Sequence, residues 1–160
     1  MIKDASTSNK LSRSERRAIS SVVKFFGENG ESGVRIEMTN RGGMVRGTAS
    51  RWDVGTINIT VEESGSDKDR ARHVLHEGSH GLDDKIRGRT ERSRGEKLDS
   101  ELNAYTTQAY FQKAVEFSGG AGDVWLYKEG ISQENIERYA KNSVDNSCGT
   151  SVSGSCAPGD

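Results

Sequence analysis

Residues 72–84 read RHVLHEGSHGLDD and hold all three histidines of a 160-residue chain within eight positions. Upstream, Ser66 and Asp69 have the spacing of a capping box, so the run DKDRARHVLHEGSHGL reads as one helix. At about 100° per residue, His76 and His80 then lie roughly 40° apart on one face, one turn from each other. Both imidazoles can reach a single ion. Glu77 points beside them, where it can accept a hydrogen bond from water on that ion instead of joining its ligands, as a general base must. The apolar pair Val74 and Leu75 precedes the motif and suits a helix buried along one side. His-Glu-x-x-His on a capped helix is a zinc-binding pattern, and zinc is the expected cofactor.

The rest of the chain is organised around this helix. LSRSERRAISSVVKFFGENG opens with the capping-box pair Ser12 and Glu15, carries Ile19, Val22, Val23 and Phe26 at helical intervals, and stops at Gly27 or Gly30. GVRIEMT and GTINITVEE alternate apolar and polar residues, with the weaker GGMVRGTASRW between them and the turn NRGG before it. This order predicts a short antiparallel meander with one face buried. After the charged connection DDKIRGRTERSRGEKLD, a helix is expected over residues 99–117, and SQENIERYAK gives a short last helix. Residues 143–160 read as a Gly/Ser-rich tail, with Cys148 and Cys156 spaced to permit a small disulfide loop.

A catalytic zinc ordinarily takes a third protein ligand and keeps one position for water. His73 cannot join His80, nor Asp84 join His76, along one straight helix, because such spans cover about 10–12 Å against metal bonds of about 2 Å. His73 is therefore read as a supporting or core residue. If Gly81 ended the helix early, Asp83 or Asp84 could fold back as the ligand. Glu101 is better placed, because SELNAYTTQAYF can lie antiparallel across the metal. Its alternative role is a first-turn glutamate that favours the helix dipole.

Composition narrows the classes. An apolar fraction of 31%, a charged fraction of 29% and a net charge of -1 fit one polar globular domain, expected over residues 1–142. The basic residues of KIRGRTERSR are interrupted and flanked by Asp83, Asp84, Glu91, Glu96 and Asp99, which reads as a solvated loop and argues against nucleic acid. No run approaches the roughly 18 apolar residues of a membrane span, and the first ten residues lack a signal peptide's apolar core.

HEGSH followed 21 residues later by Glu101 in ELNAY resembles the gluzincin branch of zinc metallopeptidases, over residues 66–112. The resemblance implies a zincin-like α+β fold in which His76, His80 and Glu101 hold Zn²⁺ and Glu77 is the catalytic base. The longer metzincin motif is not met, since Asp83 and Ile86 stand where that family has glycine and a third histidine. Small size, strands before the motif helix and ELNAYTTQ are similar to the compact metallopeptidase toxin domains of polymorphic secreted bacterial toxins such as Rhs effectors. That implies a passenger exported without its own signal peptide to act in a target cell, against a cytoplasmic enzyme otherwise. It also implies a protein or peptide substrate and a cognate immunity or inhibitor protein. The strand GTINITV is expected to offer its edge to an extended substrate, and Tyr105 and Tyr127 are candidates for stabilising the oxyanion. The expected architecture is an antiparallel meander packed with the zinc helix and two to three further helices. The competing functions are a zinc amidase acting on peptidoglycan and a non-catalytic metal-binding interaction module.

Overall fold

The computed structural model describes residues 1–27, 33–39, 47–53, 56–63, 65–88, 93–117 and 132–148. It is α+β and mostly helical, in the order α1 (Ile2–Ala5), α2 (Arg13–Phe26), β1 (Val34–Thr39), β2 (Gly47–Asp53), β3 (Thr56–Glu62), α3 (Asp67–Arg87), α4 (Arg94–Val115) and α5 (Gln133–Cys148). Among the described residues, no helix is long and apolar enough to cross a membrane.

The strands do not form the expected antiparallel meander. Their order is β1-β3-β2, with β2 antiparallel to β3 and β1 parallel to it, in a register that pairs Ile36 with Ile59 and Met38 with Val61. Backbone bonds from Ile57 N to Gly33 O at 2.8 Å and from Glu63 N to Thr39 O at 2.9 Å flank the parallel ladder at its two ends. Burial explains the order. Ile57, Ile59 and Val61 are all in the core and even Asn58, on the opposite face of the strand, is 3% exposed, so β3 needs cover on both faces and both edges. Ile36 and Met38 on β1 are 41% and 49% exposed, which suits an edge strand.

The long helices α2, α3 and α4 each begin with a reciprocal cap. Ser12 with Glu15, Ser66 with Asp69 and Ser93 with Glu96 each bond side chain to backbone in both directions. Lys113 Nζ donates to Glu15 Oε1 at 2.8 Å, tying the start of α2 to the end of α4 and holding the Glu15 carboxyl below its ordinary pKa.

Helix α3 lies at the centre of the molecule. Leu75 packs with Ile19, Val22 and Phe111 of α2 and α4, while Val74 packs with Phe25 and the β3 residues Ile57, Ile59 and Val61. Gly81 does not end the helix. The chain stays helical to Arg87 and stops at Gly88, whose φ of 69° places it in the left-handed region that glycine tolerates. Gly81 and Gly78 instead allow close packing. A Cβ at Gly78 would sit 2.4 Å from Phe26 Cζ and 2.7 Å from Val22 Cγ1, and one at Gly81 would sit 3.0 Å from Phe25 Cζ.

This packing sets a test. Gly→Ala inside a helix ordinarily stabilises by about 1 kcal/mol, but Gly78→Ala must push the Phe26 ring and Val22 aside. A net loss of about 1–2 kcal/mol is expected from such overpacking. Gly95→Ala on α4, where nothing lies within 4 Å of the added carbon, should leave stability unchanged or raise it. Thermal denaturation of the two variants checks the contrast.

At the other end of the chain, α5 runs past the expected tail boundary to Cys148, with Val144 buried at 2% exposure. Its Ile136 packs on Ala109 of α4, with Leu102, Tyr105 and Tyr139 around them. Cys148 is disulfide-bonded; Cys156 lies outside the described residues.

Candidate metal centre

Helices α3 and α4 run antiparallel, as contacts at both ends and the middle show. Arg87 Nη1 donates to Glu96 Oε1 at 3.0 Å, His80 meets Ser100, and Lys68 Nζ donates to the Val115 carbonyl at 2.9 Å. Their seam is unusually polar. Asp69, Arg72, His80 and Asp84 of α3 are buried, as are Ser100, Glu101, Gln108 and Gln112 of α4. On α4, positions 101, 108 and 112 share one stripe at helical period, so the face that presents Glu101 carries amide side chains where apolar ones would ordinarily pack.

In the middle of the seam, His76, His80 and Glu101 converge. Their nearest atoms form a triangle: His76 Nε2 to His80 Nε2 at 3.3 Å, His76 Nε2 to Glu101 Oε2 at 3.5 Å, and His80 Nε2 to Glu101 Oε1 at 3.6 Å. An ion bonded at about 2.0–2.1 Å to tetrahedral ligands sets those ligands about 3.3–3.4 Å apart. Here the two glutamate contacts end on different oxygens of one carboxylate, and one ligand atom from each residue lies within 4.8 Å of the others, a grouping that could hold an ion. Glu101 Oε2 is buried, with His76 Nε2 3.5 Å from it. A buried carboxylate needs positive or hydrogen-bonding partners, and here they are the two imidazoles together with Lys97. Burial pushes the Glu101 carboxyl pKa up, but the charges and hydrogen bonds of His80 and His76 outweigh burial and hold it well below the usual carboxylate range. The group is therefore an anion inside the protein.

The neighbouring groups define the rim. His76 is the most exposed of the three, at 12% of its side chain. The Tyr105 ring meets the His76 ring edge-on with centroids 4.6 Å apart, and Tyr139 continues the row at 5.8 Å. Lys97 Nζ lies 3.3 Å from Glu101 Oε1, one turn earlier on α4. The Glu77 carboxylate is partly exposed and makes no hydrogen bond or ion pair with a described residue, which leaves it available as a base.

The structure thus brings His76, His80 and Glu101 together, the one group of three metal-ligating side chains of that kind among the described residues. His73, Asp83 and Asp84 stand outside it. Asp83 pairs with Arg87 at 2.9 Å, four residues on, because the continuous helix prevents it from folding back. Tyr105 is beside the site; Tyr127 lies outside the described residues. The strand GTINITV does not offer an edge to substrate, since β3 is the central strand and both its edges are already paired. Two residues not anticipated from the sequence, Ser100 and Lys97, touch the cluster directly. The only sequence signal for either was proximity to Glu101: the residue before it, and the residue four before it.

Comparison of the chain with protein-family models, curated proteins and solved structures found no match.

Proposed function

We propose that the protein is a zinc-dependent hydrolase of amide bonds, a metallopeptidase, in which His76, His80 and Glu101 hold the metal and Glu77 is the general base. The observation that carries this reading is the convergence of two imidazole nitrogens and one buried carboxylate, with contacts of 3.3–3.6 Å. Two imidazoles and one carboxylate form the ligand set of known catalytic zinc sites that keep a fourth position for water or substrate. Zinc held there would supply a Lewis acid that acidifies water and polarises a carbonyl. The chain's own groups do the rest. Glu77, one residue from a ligand yet outside the cluster, takes the proton of the attacking water and returns it to the departing amine. In this reading the substrate approaches past His76, the most exposed of the three, where the Tyr105 ring lies beside it. The similarity to gluzincins noted for residues 66–112 supports the same assignment. The likeness to bacterial toxin domains extends it to an exported effector with a cognate inhibitor.

The test is direct. Protein prepared without chelator should carry about one zinc per chain by elemental analysis, and should cleave members of an unbiased peptide pool in a chelator-sensitive way. Zinc without peptide cleavage, together with release of material from purified peptidoglycan, would point to an amidase. Zinc with neither activity would leave a binding module, and the absence of any transition metal, even after titration, would end the metal reading. The effector part is checked separately by whether expression in a bacterial cell arrests growth.

A further inference from the structure

We infer that Ser100 is the positioning residue that fixes which nitrogen of His80 faces the metal. The inference rests on the metal reading above and deepens it. Ser100 is 1% exposed, and its Oγ lies 2.8 Å from His80 Nδ1. The other nitrogen, Nε2, is the one that faces His76 and Glu101. A neutral imidazole carries one proton, so a proton on Nδ1 donated to the Ser100 oxygen leaves the Nε2 lone pair pointing into the triangle, and ligation requires that lone pair.

Ser100 differs from other buried helical hydroxyls in where its oxygen goes. Ser79 Oγ bonds to the Leu75 carbonyl and Thr107 Oγ1 to the Asn103 carbonyl, each at 2.9 Å and each four residues back in its own helix. Such bonds satisfy a hydroxyl locally. Ser100 instead reaches across the seam to α3. A buried hydroxyl at a position where alanine is the better helix former is unfavourable unless it is bonded, and here its partner is a ligand. Because Ser100 and Glu101 are consecutive on α4, a single placement of that helix both supplies the third ligand and orients the second. The pairing of a ligating histidine's remote nitrogen with a fixed acceptor is what sets ring orientation and ligand basicity at metal sites in general.

The experiment compares wild type, Ser100→Ala and Ser100→Thr by zinc competition with a chromophoric chelator, alongside ¹⁵N chemical shifts of the His80 ring in the zinc-loaded proteins. In wild type, His80 is expected to bind through Nε2 and to carry its proton on Nδ1. Ser100→Ala should weaken zinc binding by about 10- to 100-fold, the usual effect of removing such a partner. Ser100→Thr, which keeps the hydroxyl, should restore most of it. Zinc-free melting of the alanine variant close to wild type would show that the loss is not one of folding. A wild-type His80 protonated on Nε2 when zinc is bound would overturn the inference without recourse to any variant. So would equal zinc affinity in wild type and Ser100→Ala, or a threonine variant as weak as the alanine one. Failure of wild type to bind zinc would instead remove the metal reading itself, so the two failures are distinguishable.

Discussion

Glu77→Gln is expected to keep its zinc and its melting temperature while hydrolysis falls by a factor on the order of 10² to 10⁴, the usual contribution of a general base. The substitution preserves size and one hydrogen-bonding oxygen and removes only the carboxylate. Glu77 makes no hydrogen bond or ion pair with a described residue and lies outside the ligand triangle, so nothing in the fold or the metal centre depends on its charge. His76→Ala provides the contrast, because it removes a ligand and should lose metal and activity together. Zinc content, thermal melting and peptide cleavage measured on the same preparations separate the two causes. A Glu77→Gln protein that keeps zinc, stability and full activity would show that the carboxylate plays no part in the chemistry.

The grouping of His76 with His80 is legible in the sequence because its rules are local. Two histidines four apart must share a helix face, and the capping box at Ser66 fixes where that helix starts. Glu101 could be chosen over Asp83 and Asp84 only by assuming that a second helix crosses the first, and the antiparallel α3–α4 seam supplies that crossing. What the sequence did not disclose was neighbourhood. Alternation along β1 and β3 says which residues share a face but not which strands are adjacent, so a parallel β1–β3 pair looked like part of a meander. The charged run over residues 83–99 reads as a connection in the sequence because charge density hides helical order. Within it, the i,i+4 pair Asp83–Arg87 and the capping box Ser93–Glu96 make its two ends helical. Gly81 likewise looked like a stop signal. Its lack of a side chain serves instead to let Phe25 and Ile57 approach the middle of a continuous helix.

Chelation is expected to lower the stability of the zinc-loaded protein substantially, because the α3–α4 seam is poorly suited to hold itself together. Glu101 is a carboxylate at 2% exposure, Gln112 is fully buried with both of its side-chain polar atoms unsatisfied, and the Gln108 amide nitrogen is unsatisfied as well. Buried polar groups without partners each cost about 1–3 kcal/mol, so α3 and α4 gain less from meeting than an apolar seam of the same size would give them. An ion that binds only the folded chain adds stability by mass action, about 4 kcal/mol when zinc is present at 1,000 times its dissociation constant. For a domain of this length each kcal/mol moves the melting temperature by about 2–4 °C, so chelation should lower it by roughly 8–16 °C. Glu101→Ala should abolish that difference, melting at one temperature with or without zinc, since two histidines alone retain the ion weakly. Asp83→Ala and Asp84→Ala should keep most of it, because neither residue belongs to the triangle. Calorimetry of the four proteins with zinc and with chelator decides the matter. If the gap survives in Glu101→Ala and disappears in one of the aspartate variants, the third ligand is an aspartate and α3 must bend at Gly81 to deliver it.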